Sequence, residues 1–150
     1  MILRKNAILF FSLFRLLLLF SCSAAIPTNH NEKGVEAAMN HLNRLTLKTD
    51  ADSIALLYTP DGNLGDVAIG RDSIRNFLAR FKNIKVLSQK STTDSINISG
   101  DTAIQKGKYY QSDLISGKDT VYVKGTFIAK WQWTNDKYWL IKEMHTAPMR

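Results

Sequence analysis

Only one cysteine, Cys22, occurs in the chain, so no disulfide can form within it. Its three histidines, His30, His41 and His145, show no metal-ligand spacing, and no metal is expected. No run of Lys and Arg forms a nucleic-acid patch. Lys82-Asn-Ile-Lys85 and Lys106-Gly-Lys108 read as solvated strand ends. There is no glycine-rich phosphate loop and no serine in a nucleophile elbow. Repeats and low-complexity tracts are absent too. These absences argue against nucleic-acid binding, metal chemistry, triad hydrolysis and any cofactor.

The longest apolar run, Ile8 to Phe20, is broken by Ser12 and Arg15. It falls short of the roughly 20 residues that a spanning helix needs. Behind the basic Arg4 and Lys5 it suits an export signal over residues 1–21. The signal ends in Leu19-Phe20-Ser21-Cys22, which resembles a bacterial lipobox. That resemblance implies a lipidated Cys22 at the new N-terminus and a place in the cell envelope. Cleavage after Ala24 or Ala25, or retention as an N-terminal anchor, are the other readings of this stretch. Residues 22–31 read as a tether and 32–150 as one domain. The net charge of +7 overstates the domain's basicity. Of 20 basic residues Arg4, Lys5 and Arg15 lie in the signal, leaving 17 against 13 acidic ones, or +4.

Within the domain, Val35, Ala38, Met39, Leu42 and Leu45 predict a helix from Asn31 to Lys48. Asp50 is placed to cap a short second helix whose inward face is Ile54, Leu57 and Tyr58. Pro60-Asp61-Gly62 predicts a turn and Leu64 to Ile69 one strand. Ile74, Phe77, Leu78 and Phe81 mark a third helix after Gly70, with Asp72 in its first turn. Strand-like runs follow over 84–98, 102–112, 121–134 and 139–146. The third alternates with period two from Val121 to Thr134, with a bend expected near Gly125. Short turns between long strands imply an antiparallel meander. The last strand carries Trp139 and Ile141 on one face and Leu140 and Met144 on the other. A homodimer through the outer sheet face is therefore expected.

Three passages, Ala55 to Gly62, Gly70 to Leu78 and Trp133 to His145, resemble in order and spacing the NTF2-like superfamily, in its SnoaL-like and DUF4440-type branches. The resemblance implies an α+β cone, three N-terminal helices packed on a curved antiparallel sheet, with a pocket between them. That scaffold hosts many functions, so fold alone does not assign one. Aligned to ketosteroid-isomerase-like members, Asp66 matches the proton-shuttling carboxylate, and His145 stands where related domains often carry a histidine. The positions of the family's oxyanion donors fall near Leu42 and Ala129, neither of which can donate. Tyr58, Phe77, Tyr110 and Trp131 are the candidate ligand-lining aromatics. The expected role is binding a small, partly apolar or mixed-polarity ligand, or a protein partner, without catalysis. The alternative is a cofactor-independent enzyme doing proton transfer or hydration, with Asp66 as base and His145 as orienter or acid.

Overall fold

The computed structural model describes residues 29–149; the signal, Cys22 and most of the expected tether lie outside them. Helix α1 spans Glu32–Leu47, and the Asn31 side chain caps it by accepting from Gly34 N at 3.0 Å. Its stripe of Val35, Ala38, Met39 and Leu45 is buried, as the spacing predicts. Asp50 caps helix α2 (Ala51–Leu56), accepting from Ser53 N at 3.0 Å. Helix α3 (Arg71–Leu78) follows Gly70, whose φ of 83° suits glycine. A single 3₁₀ turn, Ala79–Phe81, extends it.

Six strands form one curved sheet in the order β2-β1-β6-β5-β4-β3. They are β1 (Tyr58–Leu64), β2 (Ala68–Ile69), β3 (Ile84–Ser99), β4 (Thr102–Ile115), β5 (Asp119–Trp133) and β6 (Trp139–Pro148). Strands β3 to β6 are the expected meander, and α1 lies over β3. This is the α+β cone, with all its helices N-terminal to the long strands. One pairing departs from the all-antiparallel expectation: β1 joins β6 in parallel. A short irregular strand leaves no trace of its partner in its own sequence.

The stretch from Tyr58 to Ile69 is where local reading fails most. Tyr58 begins β1 rather than ending α2. Pro60-Asp61-Gly62 makes a bulge inside β1 rather than a turn. Tyr58 sits opposite Ile141 and Asn63 opposite Glu143, so six residues of β1 span three of β6. A bulge tolerates Pro60, which has no N–H for the ladder. The expected single strand over 64–69 is instead a tight hairpin, with Leu64 opposite Ala68. Gly65 and Asp66, both at positive φ, make its turn, a conformation that Gly and Asp accept readily.

A second bulge changes which side chains face inward. Lys130 pairs with Glu143, but Trp131 pairs with Ile141, leaving Lys142 as the extra residue on β6. Side-chain parity flips there, so Met144 joins Trp139 and Ile141 in the core instead of sharing Leu140's face. No such break occurs at Gly125, where β5 keeps unbroken register with β4.

Trp131, Trp139, Ile141, Ala103 and Ala129 fill one end of the cone. A buried polar relay runs through it. Trp131 Nε1 donates to Gln105 Oε1 at 3.0 Å, and Gln105 Nε2 donates to Thr93 Oγ1 at 2.8 Å. At the same end Trp139 Nε1 donates to the Asn29 carbonyl at 3.1 Å, and His30 stacks on Trp133 at 4.5 Å between centroids. Asn29 to Asn31, assigned to the tether by composition, thus pack on the domain and cap its first helix. Gln105→Leu leaves the indole N–H and the threonine hydroxyl without partners, and is expected to lower stability by about 1–3 kcal/mol. Urea denaturation measures this, and an unchanged midpoint would refute the relay's role.

Candidate functional site

Between the helices and the concave face of the sheet lies a cavity of about 430 Å³. This falls within the roughly 300–1,000 Å³ typical of small-molecule sites. Its wall is built by alternation. Tyr109, Gln111 and Asp113 on β4 point inward, as do Val123 and Phe127 on β5. Two glycines shape that wall. Gly107 lies opposite Phe127, and Gly125 opposite Tyr109. A Cβ on Gly107 would come within 2.7 Å of the Phe127 ring, and one on Gly125 within 2.6 Å of the Tyr109 hydroxyl. Each ring therefore lies across a glycine on the neighbouring strand, where no other residue leaves room for it. Gly125, expected to mark a bend, is a seat for Tyr109.

The helices supply the opposite wall. Met39, Leu42, Asn43 and Thr46 come from α1, Ala51 and Ile54 from α2, and Leu78 from α3. The lining is mostly apolar, with polar groups gathered where α1 faces β3 and β4. Asn43 Oδ1 accepts from Ser91 Oγ at 2.9 Å and from Gln89 Nε2 at 3.2 Å. Gln111 Nε2 donates to both oxygens of Asp113, each at 2.8 Å. Asp113 is 8% exposed. Among the described residues it takes part in no ion pair, and no Lys, Arg or His lines the cavity.

Of the four candidate aromatics, Tyr58 lines the cavity. It is 2% exposed, and burial pushes its phenol well above the ordinary value of 10.0. The hydroxyl is therefore neutral near pH 7 and available as a donor. The other three lie elsewhere. Tyr110 is exposed on the outer face, because its neighbour Tyr109 takes the inward position. Phe77 is half-buried at the edge of α3, set edge-on to Phe81 at 5.4 Å with the Arg80 guanidinium 5.9 Å from its ring. One helical step of about 100° gives the cavity to Leu78 instead. Trp131 faces inward but is spent in the packed end of the cone.

Asp66 and His145 do meet. The Gly65 N–H donates to the Met144 carbonyl at 2.8 Å, which sets the β1–β2 turn beside the end of β6. The Asp66 carboxylate then lies 4.0 Å from His145 Nδ1. Asn63 holds the acid, donating from Nδ2 to Asp66 Oδ1 at 2.7 Å and accepting from Asp66 N at 2.9 Å. Neither residue is among those lining the cavity, and their side chains are 75% and 44% exposed. The pair faces open solvent, away from the apolar wall where a substrate would be enclosed. Period-two alternation could have singled out Gln89, Ser91, Gln111 and Asp113 as polar residues on an inward face. Their helical partner Asn43 carries no local signal beyond lying one residue after Leu42.

No family model matches this chain, and no curated protein matches it. Solved structures do. A ketosteroid isomerase-like protein from Erwinia carotovora atroseptica aligns with a TM-score of 0.70 at 15% identity, over 81% of this chain and 98% of its own. A nuclear transport factor 2 (NTF2-like) superfamily protein from Salmonella enterica serovar Typhimurium gives 0.66 at 14%, over 79% and 90%. An NTF2-like protein with a cystatin-like fold from Novosphingobium aromaticivorans gives 0.64 at 15%, over 78% and 80%. At these identities the likeness is one of fold: the chain is similar in architecture to all three.

Proposed function

We propose that this NTF2-like domain is a binding module. It holds a small, largely apolar molecule with a polar end in the cone, without catalysis, on an exported chain tethered to the membrane through Cys22. The observation that carries the reading is the 430 Å³ cavity, apolar over most of its wall and polar at Asn43, Gln89, Gln111 and Asp113. A pocket of that make-up orients a ligand by its polar end and holds it by its body. The ketosteroid-isomerase-like alternative draws less support. The Asp66–His145 pair lies away from the lining, and Leu42 and Ala129 offer nothing to a developing oxyanion. The fluorescent probe N-phenylnaphthylamine, neutral and apolar, should bind saturably at one site per chain. Val123→Trp, which puts an indole into the cavity, should abolish that binding while circular dichroism stays unchanged. Equal probe binding by both proteins would overturn the cavity reading.

The membrane tether draws on the lipobox-like Leu19 to Cys22 and on residues 23–28, which lie in the sequence between Cys22 and Asn29, the first described residue. No helix among the described residues is long and apolar enough to cross a membrane. Cys22→Ser should move the protein from the membrane to the soluble fraction after cell lysis. Undiminished membrane association would defeat the anchor.

A second copy of the chain is the proposed partner for the outer sheet face. There Tyr122 is 82% exposed, opposite Ser112 and so diagonal to the exposed Tyr110 across the β4–β5 ladder, and on the same strand as the exposed Ile128. Tyr122→Lys should shift the sedimentation coefficient from dimer to monomer. A wild-type chain that sediments as a monomer at high micromolar concentration removes the homodimer.

A further inference from the structure

The polar end of the cavity is short of one thing, a positive charge. Asp113 is a carboxylate in a mostly apolar wall, and among the described residues its one side-chain partner is the neutral amide of Gln111. A buried carboxylate ordinarily faces a cation, because an amide returns only part of the hydration it has lost. Ion pairs elsewhere in the domain, such as Arg75 with Asp52 at 2.8 Å and Lys108 with Asp94 at 3.9 Å, lie on the surface. Among the described residues no cationic side chain enters the lining to meet Asp113.

A second group at the same end has the same need. Gln89 Oε1 is buried and accepts no hydrogen bond. Its own amide nitrogen is already committed to Asn43. Gln89 lies directly across the β3–β4 ladder from Gln111, and Asp113 is the next inward residue on β4. Side chains so placed are within reach of one small group. Two acceptors short of donors, one of them charged, thus share a patch of a cavity whose remaining wall is largely apolar.

Resting on the reading of the cavity as a ligand site, we propose that its ligand is an amine, an apolar body carrying an ammonium head. The head sits against Asp113 and Gln89 Oε1, and the body lies between Leu42, Val86 and Phe127. An ammonium brings three donors and no acceptor, which matches a patch of unmet acceptors. An alcohol brings one donor and no charge. A carboxylate brings repulsion against Asp113 and no donor at all. The charge-assisted bond is about twice as strong as a neutral one, and stronger again away from water.

The test compares three ligands of one carbon skeleton, phenylbutylamine, phenylbutanol and phenylbutanoate. Each displaces N-phenylnaphthylamine from the full chain, which carries Cys22→Ser so that no lipid competes. The amine should bind about tenfold or more tightly than the alcohol, and the carboxylate weakest. Asp113→Asn should bring amine and alcohol within about twofold of each other while alcohol binding persists, since the neutral amide keeps the shape and loses the charge. If Asp113→Asn does not fold, the wild-type order of the three ligands decides alone. Alcohol equal to amine, or carboxylate tightest, overturns the amine and leaves the cavity reading standing. Binding of none of the three, together with no saturable probe signal, overturns the cavity reading and the amine with it.

Discussion

Two aromatic rings lying across two glycines hold the concave wall of this sheet. Phe127 covers Gly107 and Tyr109 covers Gly125, on adjacent strands and two residues apart. A Cβ at Gly107 would meet the Thr92 carbonyl as well as the Phe127 ring, and one at Gly125 the Ala147 carbonyl as well as the Tyr109 ring, so neither the strands nor the rings could keep their places. Lying flat, they keep the inner face apolar without filling it. The hollow between α1 and the sheet, and any ligand it takes, depend on that economy of volume.

The two ends of the cone use the same alternation to opposite effect. At one end Trp131 and Trp139 meet Ala103 and Ala129, large residues beside small ones in one buried cluster. Their indole N–H groups are satisfied by Gln105 and by the Asn29 carbonyl, so burial leaves no donor unpaired. At the other end the inward positions of β3 and β4 carry Gln89, Ser91, Gln111 and Asp113. Those groups only partly satisfy one another. A closed polar network stabilises a core, whereas one with acceptors to spare is fitted to receive a donor from outside.

Much of the fold was legible in the chain itself. The stripes of α1 and α3, the Asn31 and Asp50 caps and the long period-two run of β5 rest on forces between residues close in sequence. Around Tyr58 to Ile69 that logic broke down. Pro60-Asp61-Gly62 is turn chemistry, yet β6 provides a ladder that absorbs it as a bulge. The site was less legible than the fold. Tyr58 lies in the lining. A pair of adjacent tyrosines does not announce which one faces inward, and it is Tyr109 rather than Tyr110 that does, while Trp131 belongs to the packed end of the cone. Asp66 and His145 lie 4.0 Å apart, but both are exposed and neither lines the cavity.

What the chain determined unaided was its periodicities, its caps and the order of three helices before a meander, since these follow from steric and hydrophobic preferences over a few residues. What only tertiary structure decided was parity and partnership. A one-residue bulge at Lys142 turned Met144 inward, and parallel pairing of β1 with β6 brought Asp66 beside His145. Folding α1 over β3 set Asn43 against Gln89 and Ser91. Each of these is a contact between residues far apart in the chain. Its geometry is set by a ladder register that no short window of sequence contains.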